Sequence, residues 1–163
     1  MKTVLKQDTN YNLEPSKLKE GSVFGALSEH SIAYLLNNGV LIELDAGEQL
    51  FDYGDKGDRF YIVLEGRLDF YKTHNNQTSH TRTINFGEAV GFVSMIALHD
   101  KVGKAIAKEN SIVLEITSQL FSDFHDDHAF DFGILLMNLS RDMARSLRVL
   151  GNALVENHIS INT

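Results

Sequence analysis

The chain has 163 residues, no cysteine, one proline and a formal net charge of −7. That length fits one domain around a single core, and the missing cysteines exclude disulfides and thiolate metal sites. An acidic chain lacks the clustered Lys and Arg that backbone-phosphate binding needs, so nucleic acid is not an expected partner.

No apolar run approaches the roughly 20 residues of a membrane helix, so no membrane association is expected. The opening MKTVLKQDTNYNLEPSKL has no secretory core, which leaves the cytoplasm as the expected location. Residues 1–20 read as a polar lead-in, loose or helical, with Pro15 ahead of SKLKE. A single domain over 21–160 follows. SEHSIAYLLNNG predicts a short helix with Ser28 as N-cap and Gly39 as stop. Ile32, Leu35 and Leu36 share one of its faces.

From about residue 40 to 117 the apolar period drops to two. VLIEL, EQLFDY, RFYIVLEG, RLDFYKT, TSHTRTINF and SIVLEI read as short strands between Gly, Asp and Asn turns. Leu68 and Phe70 should face inward, as should Ile112, Leu114 and Ile116. Gly47, Gly54, Gly57 and Gly66 read as turn makers, Gly66 as a hairpin turn. Many short antiparallel strands in one domain imply a sandwich, jelly roll or barrel, so the fold class is mainly β with flanking helices.

After Ser118 the helical period returns, with a long C-terminal helix expected over 128–157. Phe132, Leu136, Leu139, Met143, Leu147, Leu150 and Leu154 recur at steps of four and three. Such a stripe either packs on its own strands or pairs with a second copy. The FHDDH run, 124–128, places His125 and His128 at i and i+3, which reads as a polar helix start or as a surface metal site. The helix start is preferred, and no metal is expected. No histidine pair stands at strand spacing, and neither a nucleophile elbow nor a Walker loop is present, so catalysis is not expected. A metal-dependent jelly-roll enzyme is the remote alternative.

The run LDAGEQLFDYGDKGDRFYIVLEGRLDFYK resembles the cyclic nucleotide-binding domain superfamily, which includes bacterial cyclic-AMP receptor proteins and kinase regulatory subunits. The matching residues are Ala46-Gly47-Glu48, Gly54-Asp55, the apolar strand Phe60 to Leu64, and Gly66. The resemblance covers about residues 23–155. It implies a β-roll or jelly roll flanked by helices and ending in a long helix.

In that family a late cassette reads Gly-x-x-x-Gly-Glu, an apolar helical turn, then Pro-Arg-Ser/Thr-Ala. The resemblance implies that the helix start and the Arg hold a cyclic phosphate while the Glu accepts from the ribose. The Gly87-Glu88 pair looks like the sugar reader, yet Lys101 would then follow the Glu by thirteen residues and require an insertion. Sliding the frame by four removes it. Gly87 becomes the first glycine, Gly91-Phe92 takes the Gly-Glu place, Val93 to Ile96 forms the apolar turn, and Lys101 follows Phe92 by nine.

In this register Phe92 stands for the ribose acceptor, and Asp100-Lys101-Val102-Gly103 stands for Pro-Arg-Ser-Ala. Lys101 lacks the two-pronged geometry of Arg, and Val102 lacks a hydroxyl. Losing two charge-assisted hydrogen bonds of about 1.5–3 kcal/mol each weakens affinity roughly 10²- to 10⁴-fold. Lys101 and Lys104 otherwise read as solvated loop cations. The pocket candidates are Gly91, Phe92, Val93, Lys101, Val102, Gly103 and Lys104.

The long helix resembles the dimerising helix of the receptor proteins around Met143-Ala144-Arg145-x-Leu147. Leu150 and Gly151, at the places that contact the purine there, offer no side-chain donor or acceptor. Leu136, Leu139, Met143, Leu147, Leu150 and Leu154 are the candidate dimer positions. VENHISINT is too short for a helix-turn-helix, so a complete chain would not bind DNA itself. The expectation is a non-catalytic, homodimeric module with an eroded cassette. It would regulate, meet a protein partner, or sense an unidentified small ligand. The alternative is a true cyclic nucleotide receptor using Lys101, Lys104 and backbone amides.

Overall fold

A computed structural model of the protein describes residues 1–5 and 11–159. The elements run β1 Lys2–Val4, α1 Pro15–Leu18, α2 Glu29–Asn38, β2 Val40–Leu44, β3 Gln49–Phe51, β4 Arg59–Glu65, β5 Leu68–His74 and β6 Gln77–Ile84. They continue with β7 Ala89–Val90, α3 Phe92–Ile96, β8 Gly103–Ala107, β9 Ser111–Thr117, α4 Ser118–Asp127 and α5 Ala129–Glu156. Two antiparallel sheets form the roll, ordered β1-β2-β9-β4-β7 and β3-β8-β5-β6.

The expected short helix forms as α2: the Ser28 hydroxyl accepts from the Ser31 N–H at 3.1 Å, and Gly39 closes the last turn onto Leu35. Gly66, at φ +76°, makes the β4–β5 turn, and a Cβ there would lie 2.3 Å from Ser111 Oγ. The lead-in is less loose than its composition implied. Lys2–Val4 pairs antiparallel with β2, and Leu13 and Leu18 are buried.

β4 and β9 lie in the middle of the first sheet and are buried on both faces. Phe60, Ile62, Leu64, Ile112, Leu114 and Ile116 face a core shared with α2, α4 and α5. Tyr61, Val63 and Val113 face the roll interior, where they meet Leu50, Phe51, Leu68 and Ile84. The inward set expected for β9 is therefore the set turned toward the helices, and Val113 supplies the roll side. A strand covered on both faces has no solvated face to break its apolar run.

FHDDH is the last turn of α4 and its junction with α5, not a helix start. The acid in the first turn of α5 is Asp131, whose carboxylate accepts from the Ser28 N–H and hydroxyl. Asp127 accepts from the Tyr34 hydroxyl at 2.8 Å, and the His128 ring stacks on Phe124. Burial of Leu135, Asn138, Leu139 and Asp142 fixes the first half of α5 on the roll. Asn138 donates to the carbonyls of Val23 and Gly25 at 3.0 and 2.7 Å. No helix among the described residues is long and apolar enough to cross a membrane.

Two glycines provide a test of this packing. Gly87 has φ +74° and would place a Cβ 2.1 Å from Gly21 Cα, whereas a Cβ at Gly133 in α5 meets open space. Gly87→Ala should cost on the order of 3 kcal/mol through backbone strain and overlap. Gly133→Ala should gain about 1 kcal/mol from helix propensity. Urea unfolding of the two variants beside the wild type measures both signs.

Candidate functional site

Gly91 takes φ +84° immediately before α3, where a left-handed residue is easiest for glycine, while Glu88 lies in the β6–β7 turn. The Glu88 carboxylate accepts from Asn85 N–H at 2.8 Å and lies 3.9 Å from Arg82. It takes part in turn formation rather than reaching the roll interior.

Phe92 is buried at 4% exposure, but it enters the helix-side core and not the cavity of the roll. Its ring meets Phe60 edge-on at 5.2 Å and Phe121 at 5.9 Å. The first residue of α3 therefore anchors that helix against β4 and α4. Val93 and Ile96 lie on the exposed side of the same turn. The helix phase turns the Phe92 side chain to the face of the sheet away from the cavity.

Lys101 is the unexpected element. It is 2% exposed, and among the described lysines it alone is buried. Its ammonium donates to the Arg59 carbonyl at 2.5 Å and the Gly91 carbonyl at 3.2 Å. It also lies 5.2 Å from the Phe51 ring centroid and 5.9 Å from that of Tyr61, within cation–π range. No carboxylate comes within salt-bridge distance among the described residues. Burial pushes the amine down to about 8, against a partial upward pull from Asp58.

The backbone of Lys101 is fixed from the other side by the Gly54-Asp55-Lys56-Gly57 loop. Lys101 N–H donates to Asp55 O at 2.7 Å, and Gly54 N–H donates to Lys101 O at 2.9 Å. A Cβ at Gly57 would lie 1.9 Å from His99 O, so this approach requires a glycine.

A cavity of about 250 Å³ opens beside the ammonium, lined by Leu50, Phe51, Asp55, Asp58, Tyr61 and Lys101 together with Lys56 and Arg59. The Arg59 guanidinium turns to Asp58 at 2.8 Å and Glu115 at 3.2 Å, and these acids hold it charged. Burial pushes the Tyr61 phenol up, so it is a neutral wall.

Of the seven expected pocket residues, only Lys101 lines this cavity. Gly91 supplies a carbonyl to Lys101, and a Cβ on Gly91 would lie 2.7 Å from its Nζ. Gly103 lies tight against Tyr71 O, and Val102 O accepts from Thr73 N–H. Lys104 projects from the outer face of β8 over the Tyr71 ring at 5.7 Å, apart from Lys101. Phe51, Arg59 and Tyr61 were missed as site residues. The signal was present: alternation along RFYIVLE puts Arg59, Tyr61 and Val63 on the face opposite Phe60 and Ile62. Among the described residues no group of three potential metal ligands converges.

Comparison with known proteins matches residues 41–128 to the "Cyclic nucleotide-binding domain" family. "Neuropathy target esterase sws" of Drosophila melanogaster is 27% identical over 148 residues, covering 86% of this chain and 10% of that protein. The chain thus spans about a tenth of the length of the curated relatives it matches. A cyclic nucleotide-binding domain from Methylobacillus flagellatus superposes with a TM-score of 0.77 at 16% identity, over 93% of this chain and 84% of that one. The Thermus thermophilus Catabolite Activator Protein superposes at 0.71 with 21% identity, over 85% and 63%. At these identities the superpositions establish the fold.

The buried amine has a measurable pH signature. A lysine whose folded value lies near 8 and whose unfolded value is 10.5 binds fewer protons folded than unfolded across that interval. Stability therefore rises with pH through the window, and the penalty is present in full below it. The wild type should gain on Lys101→Met by roughly 2–3 kcal/mol between neutral pH and the top of the window. Urea midpoints of both proteins across that range measure the difference.

Proposed function

The chain belongs to the cyclic nucleotide-binding domain family, and from that premise we propose that it is a non-catalytic regulatory module that does not hold cyclic nucleotides in the family's usual way. The observation that carries this reading is the Lys101 ammonium. It stands where the frame puts the phosphate-pairing cation, yet two of its donors are committed to the Arg59 and Gly91 carbonyls. Only its third N–H is free, so an anion reaching it would meet a single donor rather than the two prongs of an arginine. The inward lysine joins β4 to the turn before α3 from within.

Three further features support the reading. Phe92 offers no acceptor and faces away from the cavity. Asp58 lines the cavity and takes up the Arg59 guanidinium, so that cation is paired within the chain. Leu150 and Gly151 have no polar side chain for a base. The module then acts through protein contact or through a small, weakly polar ligand.

The second half of α5 supplies the surface for self-association. Phe132 and Leu139 of the stripe pack on the roll, but Leu136, Leu147 and Leu150 are exposed, Leu147 at 68%. Two copies joined along Met143, Leu147, Leu150 and Leu154 would cover that face, which otherwise leaves large apolar side chains in water.

Calorimetry with cyclic AMP and cyclic GMP should give no saturable micromolar heat, and saturable binding would overturn the non-receptor reading. In sedimentation, the wild type should run as a dimer and Leu147→Glu/Leu150→Glu as a folded monomer. A wild type that stays monomeric at high concentration removes the dimer.

A further inference from the structure

An amine buried without a carboxylate partner, beside a cavity, has chemistry that its two hydrogen bonds do not use. We propose that Lys101 is a nucleophilic amine placed to condense with a small uncharged aldehyde entering the mouth of the roll. This deepens the proposed sensing of a weakly polar ligand, and rests on that reading in requiring that no cyclic nucleotide fills the cavity.

The geometry begins at Nζ. As an ammonium it has three N–H groups, two of them given to the Arg59 and Gly91 carbonyls. Loss of one proton leaves two N–H groups, enough to keep both bonds, and frees a lone pair in the remaining tetrahedral direction. The neutral amine therefore stays seated and becomes a nucleophile without rearranging its neighbours. Desolvated lysines in apolar pockets are activated in this way. Lys101 already has that environment, with Phe51 and Tyr61 beside it and Leu50 in the cavity wall.

The lining charges are mixed, Asp55 and Asp58 against Lys56, Arg59 and Lys101, so they single out neither sign, and amine chemistry sets the class: a neutral amine condenses with a carbonyl compound. A volume of about 250 Å³, with Leu50 and the Phe51 and Tyr61 rings on its apolar side, admits a benzaldehyde-sized molecule. In the reaction the Nζ lone pair attacks the aldehyde carbon, giving a carbinolamine. The carbinolamine loses its hydroxyl as water with the remaining amine proton, forming a C=N bond. One amine and one aldehyde yield one imine and one water, with no change of oxidation state.

The groups facing Nζ are Asp55 and Asp58 from the loop, Arg59 and Tyr61 from β4, and Glu115 from β9. None lies close enough to form an ion pair with it. The amine is therefore freed near pH 8, well below an exposed lysine.

Benzaldehyde with cyanoborohydride, read by peptide mass spectrometry on the intact folded chain, tests the proposal. At neutral pH Lys101 should be labelled about 10- to 100-fold faster than Lys56, Lys104 or Lys108, from its larger neutral fraction. Its labelling should level off near pH 8–9 while that of the exposed lysines still climbs. Lys101→Arg should lose the fast label while Lys56, Lys104 and Lys108 keep their rates, with circular dichroism checking that the variant is folded. Labelling of Lys101 no faster than of the exposed lysines would overturn the proposal. Fast labelling that micromolar cyclic AMP blocks would instead overturn the non-receptor reading and leave the reactive amine standing. Slow labelling with no cyclic nucleotide heat would defeat this proposal alone.

Discussion

The two bonds from the Lys101 ammonium to the carbonyls of Arg59 and Gly91 tie the start of β4 to the turn before α3. Removing an ammonium from water costs several kcal/mol, so it stays inside only with good acceptors. Two backbone carbonyls and two aromatic faces supply that environment, and the incomplete compensation appears as a lowered proton affinity. Much of the local backbone follows from this arrangement. Gly91 must lack a Cβ for the amine to approach, and Gly57 must lack one for the supporting loop to reach His99. The glycines around the site thus serve the position of one lysine as well as their own turns.

The sequence makes the architecture legible because strands and turns are encoded by local rules. Ser28 and Gly39 bound α2, Gly66 makes its hairpin turn, and the alternation of RLDFY and RFYIVLE locates β5 and β4. It fails where burial on both faces or pairing over distance decides. Val113 is as buried as Ile112, because β9 lies between the roll interior and the helices, so period two does not say which face is inside. β1 has three residues and one buried side chain, and only its pairing with β2 makes it a strand. FHDDH was read as a start because its acids suit a helix N-terminus, but Thr117 caps α4 earlier.

The site shows the same division more sharply. Spacing places Gly91 and Phe92 in a proposed frame but does not give direction. The helix phase puts the Phe92 ring against Phe60 and Phe121. Lys101 and Lys104 look alike as loop cations, yet one is sealed among aromatic rings and the other lies over Tyr71 on the outer face. Side-chain orientation depends on packing against segments forty residues away, such as Arg59, and no local pattern carries it.

A second contact determines how a change at Lys101 would leave the roll. Arg82 on β6 donates to Ser146 at 2.8 Å and pairs with the buried Asp142 at 3.4 Å, while Arg145 approaches the same carboxylate at 3.6 Å. These contacts join the sheet to α5 at the place where the helix stops being covered. N-terminal to them α5 is fixed by Leu135, Asn138 and Leu139, and C-terminal to them Leu147 and Leu150 are exposed. A ligand alters such an arrangement only by preferring one of two states. α3 reaches α4 and α5 through Phe92, Phe121 and Phe132, so a ligand that preferred a state with the Lys101–Gly91 bond broken would act on that run of rings. Phe92 thus ties the first turn of α3 to β4 and α4, and Phe121 carries the contact on to α5.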